Sequence, residues 1–171
     1  NALNALAACA VAWKFGISGE TAAAALVEFH GAGRRLEYKG SFHGADVYDD
    51  YAHHPNELHA LLQAVRLMHY RRVICAFQPH TYTRTKALFQ SFVDELRTAD
   101  QVVLADIYAA REQNTVGVSS QELAAEIPGA VYCPSLQGVT AYLRENAQPG
   151  DIILTVGAGD IYKAGEALFT E

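Results

Sequence analysis

Two short segments concentrate side chains that can bind charge or move protons. Asp49-Asp50-Tyr51-Ala52-His53-His54-Pro55 ends on two imidazoles and a proline. Phe77-Gln78-Pro79-His80-Thr81-Tyr82-Thr83-Arg84-Thr85 places His, Tyr and Arg close together among three threonines. A carboxylate at Asp49 or Asp50 can accept bonds from ribose hydroxyls or hold a cation; otherwise one caps a turn while the other stays solvated. Pro55 suits the first position of a helix. His53 and His54 therefore either cap that helix or bind phosphate or carboxylate at its electropositive end. Adjacent imidazoles point in different directions, so a two-His metal site is not expected. Arg84 can fork onto a carboxylate or a phosphate. The density of polar groups around it disfavours an ordinary surface arginine.

Each segment follows a run that reads as a buried strand, Gly44-Ala45-Asp46-Val47-Tyr48 before the first and Arg72-Val73-Ile74-Cys75-Ala76 before the second. In open α/β sheets, ligands bind outside the carboxyl ends of the strands. The two loops therefore predict one shared site. Around them, residues 2–13 and a stretch from Ser18 to about Phe29 read as helices, with Ser18 as N-cap. Gly31-Ala32-Gly33 breaks the pattern and marks a domain boundary, giving segments 1–33 and 34–171. A hairpin of 36–42 and 45–51 follows. Next comes a helix after Pro55 whose apolar set is Leu58, Leu61, Leu62, Val65 and Leu67. Strands at 72–77, 101–107, 130–133 and 151–156 then alternate with helices at 83–97, 119–126, 135–146 and 159–169. That alternation implies βαβ units: an α/β, Rossmann-like fold with a mainly parallel sheet flanked by helices, preceded by two further helices. Gly157-Ala158-Gly159 looks like a dinucleotide fingerprint, but its sixth position is Tyr162 and no βαβ unit follows it. A tight strand-to-helix turn explains these glycines equally well.

Of the 171 residues, 50% are hydrophobic and 19% charged, a globular composition with room for one ordinary domain and a little more. A net charge of −6 without a long Lys/Arg run argues against a nucleic-acid surface. Cys9, Cys75 and Cys133 are far apart and form no Cys-x-x-Cys, so they read as reduced, mostly buried thiols of a cytosolic protein. No apolar stretch approaches the ~18 residues of a membrane span. The Ala-rich opening without methionine suggests a piece of a longer chain.

Together, Asp-Asp-Tyr-Ala-His-His-Pro, Phe-Gln-Pro-His-Thr-Tyr-Thr-Arg-Thr, Asp-Ile-Tyr-Ala-Ala-Arg-Glu at 106–112 and Gly-Ala-Gly-Asp at 157–160 resemble the Mur ligase family of bacterial peptidoglycan synthesis. Within it, they resemble the ligases that join L-alanine to UDP-N-acetylmuramate. The resemblance covers the whole chain. It implies that residues 1–33 are the last helices of a central ATP-binding domain and 34–171 the C-terminal domain. The chain has no Gly-Lys-Thr/Ser, so the P-loop must lie elsewhere, and a fragment of this kind is expected to be inactive alone. The implied reaction takes the γ-phosphoryl group of ATP, with Mg2+, onto the carboxylate of UDP-N-acetylmuramate. The amine of L-alanine then attacks the acyl phosphate. Asn1 and Asn4 are implied to read adenine, Arg35 to meet the phosphates and Asp50 the ribose. Arg35, Asp50 and His54 form the implied catalytic set. Tyr51, His53, His80, Tyr82 and Arg84 form the substrate-binding set, with Arg84 as the carboxylate clamp. Many family members carry Arg where this chain has Thr81. Metal ligands, nucleic acid and membrane are absent from the implied partners; the upstream domains are the remaining one, and the location is cytoplasmic. Two other readings are a stand-alone nucleotide-binding module and a Mur-type ligase for another amino acid. Asp50→Ala and Arg35→Ala are expected to leave the fold intact, both being loop-edge polar residues.

Overall fold

The computed structural model describes residues 2–29 and 32–170. The chain divides into two compact units, 1–33 and 34–171. The first contains α1 (Ala2–Lys14) and α2 (Gly19–Val27). Gly16, at φ +79°, ends α1 in the left-handed conformation, and the Ile17 amide reaches back 3.0 Å to the Ala12 carbonyl. Ser18 caps α2 by accepting from the Thr21 amide at 3.1 Å. Neither helix fully buries a side chain.

The second unit is a six-stranded sheet in the order β1-β2-β6-β3-β4-β5. The strands are β1 (Glu37–Phe42), β2 (Ala45–Asp50), β3 (Arg72–Phe77), β4 (Gln101–Leu104), β5 (Val131–Tyr132) and β6 (Asp151–Val156). β1 runs antiparallel to β2, and every other pairing is parallel. Alternate residues of β3 serve opposite faces, as the two-residue period of a strand requires. Cys75 and Phe77 join a core with Leu58, Leu62, Phe92, Leu96 and Leu123, from α3 (Pro55–Arg66), α5 (Phe89–Leu96) and α6 (Ser120–Ala125). Ile74 and Ala76 join another with Val139, Leu143, Ile161 and Leu168, from α7 (Leu136–Asn146) and the α8 region (α8, Tyr162–Glu166). Burying each such aliphatic side chain stabilises by about 1.5–3 kcal/mol, which is why β3 from Val73 to Phe77 and β6 from Ile152 to Leu154 read as apolar runs.

Several boundaries differ from the sequence expectation. The helix over 83–97 is two: α4 (Tyr82–Ala87) and α5, separated at Leu88, whose φ of −112° and ψ of 19° leave the helical region. β4 ends at Leu104, β5 keeps two residues, and the last helix starts only at Tyr162 and finishes as a 3-10 turn, Ala167–Phe169. Leu67 is 77% exposed and does not join the α3 apolar set. It lies two residues, about 200° of helical rotation, beyond buried Val65. Of the three thiols, all free, only Cys75 is fully buried.

The chain leaves β2 and β3 toward the face carrying α3, α4 and α5. It leaves β6, which lies between them, toward the face carrying α8. Loops diverging from neighbouring parallel strands open a crevice at their carboxyl ends.

Candidate functional site at the carboxyl ends of the strands

Neither aspartate at the end of β2 is solvated. Asp49 is 1% exposed, and its carboxylate accepts from Arg34 Nε at 2.6 Å and from the Thr155 hydroxyl at 2.8 Å. Asp50 is 7% exposed and accepts from the amides of Leu36 (2.7 Å) and Ala52 (2.8 Å). Burial pushes the Asp50 carboxyl above its ordinary range, against the pull of those two amides and of the Arg35 charge. The expectation that one carboxylate caps while the other faces water is therefore corrected: both are built into the strand end. Asp50 still feels the charge of Arg35, which is exposed.

Arg34 is the residue that sequence reasoning missed. Besides Asp49, its guanidinium donates to the carbonyls of Gly157 (2.6 Å) and Gly159 (3.1 Å). It also sits over the rings of Tyr51 (5.0 Å) and Tyr162 (4.7 Å). A β-carbon on Gly157 would come within 2.7 Å of the Gln78 carbonyl, and one on Gly159 within 2.3 Å of Gln78 Oε1. The glycines thus let the β6 turn press against the β3 loop. The Gln78 side chain locks that approach by accepting from the Ile161 amide (3.1 Å) and donating to Asp160 (3.1 Å). Of the two readings open for Gly157-Ala158-Gly159, this is the tight turn.

His54 is the N-cap of α3, and its Nδ1 accepts from the Asn56 amide at 3.2 Å. Glu57 completes the cap by accepting from the amides of His53 (2.9 Å) and His54 (3.1 Å). Pro55 at the first helical position and Glu57 at the third were the available signal for that box. His53 turns instead toward the crevice. Its ring meets Tyr51 edge-on at 5.4 Å and stands 5.9 Å from His80. His80 stacks on Tyr108 at 5.6 Å, and its Nδ1 lies 3.5 Å from Arg84 Nη1. Burial, then the charges of Arg84 and His53, lower the His80 pKa and so favour the neutral ring.

The loop bearing His80 is strained. Thr81, a β-branched residue, has φ +67°. It is held by its amide on the Tyr108 carbonyl (2.9 Å), by the Tyr108 amide on the Pro79 carbonyl (2.8 Å), and by the Thr85 hydroxyl on its own carbonyl (2.7 Å). α4 begins immediately after it and carries half-buried Tyr82 and Arg84.

The structure therefore brings together Arg35, Asp50, Tyr51, His53, His54, His80, Tyr82 and Arg84 on the loops of one sheet edge. Asn4 is exposed on α1 in the other unit, and Asn1 lies outside the described residues. Among the described residues, no three His, Cys, Asp or Glu side chains cluster as metal ligands, and no helix is long and apolar enough to cross a membrane. A cavity of about 400 Å³ bordered by Arg97, Asp100 and Pro128 lies at the amino end of β4, away from these loops.

The comparisons agree with this architecture. The family described as Mur ligase, glutamate ligase domain, matches residues 34–159. A UDP-N-acetylmuramate–L-alanine ligase of Caldanaerobacter subterraneus subsp. tengcongensis is 45% identical over 100% of this chain and 38% of its own length. One of Lachnospira eligens is 48% identical over 98% of this chain and 38% of its own. The crystal structure of UDP-N-acetylmuramate-alanine ligase from Thermotoga maritima superposes with a TM-score of 0.78 at 27% identity, covering 98% of this chain and 36% of that one. The chain thus spans less than two-fifths of the length of these relatives. With the family match covering nearly all of the second unit, the chain belongs to the Mur ligase family.

Proposed function

We propose that this chain is the amino-acid-binding C-terminal part of a cytoplasmic, ATP-dependent ligase that joins L-alanine to UDP-N-acetylmuramate through an acyl phosphate. Residues 1–33 then end the central ATP-binding domain. The observation that carries the reading is the grouping of Arg84 with His80 and His53 on the loops beside Asp50 and Arg35. It is supported by the names of the relatives that match the whole chain.

In this reading Arg84 forks onto the carboxylate of L-alanine and fixes its amine toward the crevice. A neutral His80 ring beside it adds no second positive charge against the ammonium group, and can take a proton from it. Arg35 is exposed and uncommitted among the described residues, so it is available to phosphate oxygens. Asp50 retains lone pairs for a ribose hydroxyl. ATP with Mg2+ supplies the phosphoryl group that activates the carboxylate. The donor set here fits the nucleotide's ribose and phosphates, but not a metal cage, since both β2 carboxylates are already engaged by the protein.

The test is Arg84→Lys in the complete ligase. Lysine keeps the charge and loses the two-pronged geometry. The KM for L-alanine should rise roughly tenfold, as for the loss of one charge-assisted bond, while the KM for UDP-N-acetylmuramate changes little. A shift in the UDP-substrate constant alone would move Arg84 to the nucleotide-sugar side and overturn the assignment.

A further inference from the structure

Glu112 closes the Asp-Ile-Tyr-Ala-Ala-Arg-Glu segment and has no part in the scheme above. Its carboxylate reaches across to α4, where one oxygen accepts from the Thr83 amide at 2.9 Å and the other from the Thr83 hydroxyl. α4 needs such an acceptor. Thr81, its N-cap, makes no side-chain capping bond and sits in a strained conformation. The Thr83 amide of the first turn is therefore satisfied from a different loop, 29 residues away in sequence. Those bonds, with the Tyr82 amide and His80 nearby, also hold the Glu112 carboxyl below its usual range, keeping it an acceptor at neutral pH. Both of its oxygens are engaged by Thr83.

We propose that Glu112 is a positioning residue: by bracing the first turn of α4 across loops, it sets the direction in which Arg84 and His80 face the crevice. The proposal rests on the amino-acid-site reading given above.

The first measurement uses this chain. In Glu112→Ala, the Thr83 amide should exchange with solvent about fivefold faster or more, the magnitude of a lost helix cap. The His80 ring and Arg84 Nε resonances should shift, while the amides of β3 and β6 keep their protection. In the complete ligase, Glu112→Ala should raise the KM for L-alanine by a similar factor and leave the KM for ATP nearly unchanged. Glu112→Gln, whose amide oxygen still accepts one bond, should recover most of the loss. Unchanged Thr83 exchange overturns the brace. So does faster exchange with an unmoved alanine KM, or an equal loss in every constant. Arg84→Lys measured alongside separates the two claims. An alanine KM that moves in Arg84→Lys but not in Glu112→Ala overturns the brace alone; one that moves in neither overturns both.

Discussion

Asp50 and Arg35, whose charge acts on the Asp50 carboxyl, answer to different demands. The Asp50 carboxylate satisfies two amides at a buried strand end, so its removal orphans both. An unsatisfied buried donor costs about 1–3 kcal/mol. Arg35 is exposed, and such positions change stability by about 0.5 kcal/mol or less. Asp50→Ala should therefore lower the melting temperature of this chain by roughly 2–12 °C, taking about 2–4 °C per kcal/mol at this size, and Arg35→Ala should leave it in place. Thermal unfolding by circular dichroism reads both. Equal melting temperatures for the two variants would contradict the hydrogen-bond assignment of Asp50. The outcome also matters for kinetics: a loss of turnover in Asp50→Ala reports fold and site together, whereas one in Arg35→Ala reports the site. The sequence expectation that both changes spare the fold treated the two residues alike. What separates them is the backbone of Leu36 and Ala52, and a donor count of that kind is invisible until the chain is folded.

At the scale of elements, the turn after β6 packs directly on the loop after β3 at the base of the site loops. Gly159→Ala would drive a methyl group into Gln78 and Tyr108, and Gln78 is pinned at both ends of its amide. Overpacking of this kind costs about 1–3 kcal/mol, to be seen as a lower urea midpoint with an unchanged slope. A stability equal to the parent's would mean that the loop yields. The strands and the loops that follow them were legible in the sequence, because β3 and β6 are apolar on both faces and polar clusters begin where they stop. The break between α4 and α5 was not. Leu88 is neither glycine nor proline, and the helical bonds from Leu88 to Arg84 and from Phe92 to Leu88 persist across it. Nor was the choice of Arg34 over Arg35 as the residue that holds the turn. Two adjacent arginines are equivalent in a sequence, and only the fold shows which one reaches Gly157 and Gly159. Thr83 and Glu112 escaped for the same reason, being partners made by tertiary approach.

For the whole molecule, the amino end of β6 carries an ion cluster whose carboxylate is buried while its arginines reach solvent. Asp151 is 0% exposed and binds Arg72 at 2.7 Å and Arg71 at 3.1 Å. Burial raises its pKa, but the Arg72 bond, the Gln148 amide and the two charges outweigh this and leave it below its ordinary value. A carboxylate with a depressed folded-state pKa stabilises the fold above its unfolded pKa of about 3.9, and that contribution fades as the pH falls through the folded value. Asp151→Asn should therefore cost about 1–3 kcal/mol at pH 7, since Arg71 and Arg72 keep access to water, and the gap from the parent should narrow below about pH 4. Denaturant titrations at neutral and acid pH test the sign; a gap that widens in acid would refute it. The position of β6 has a further consequence, for how the molecule is made. Its residues pair with β2 on one side, Val47 with Ile153, and with β3 on the other, Ile74 with Ile153. The strand at the middle of the sheet is thus the last to be synthesised. On the ribosome β2 and β3, which end at Asp50 and Phe77, each wait with an unpaired edge for a joining strand that begins only at Asp151, so closure of the sheet is a late, long-range event. Until then the nascent chain presents the kind of open strand edge that holding chaperones recognise and that neighbouring copies can invade.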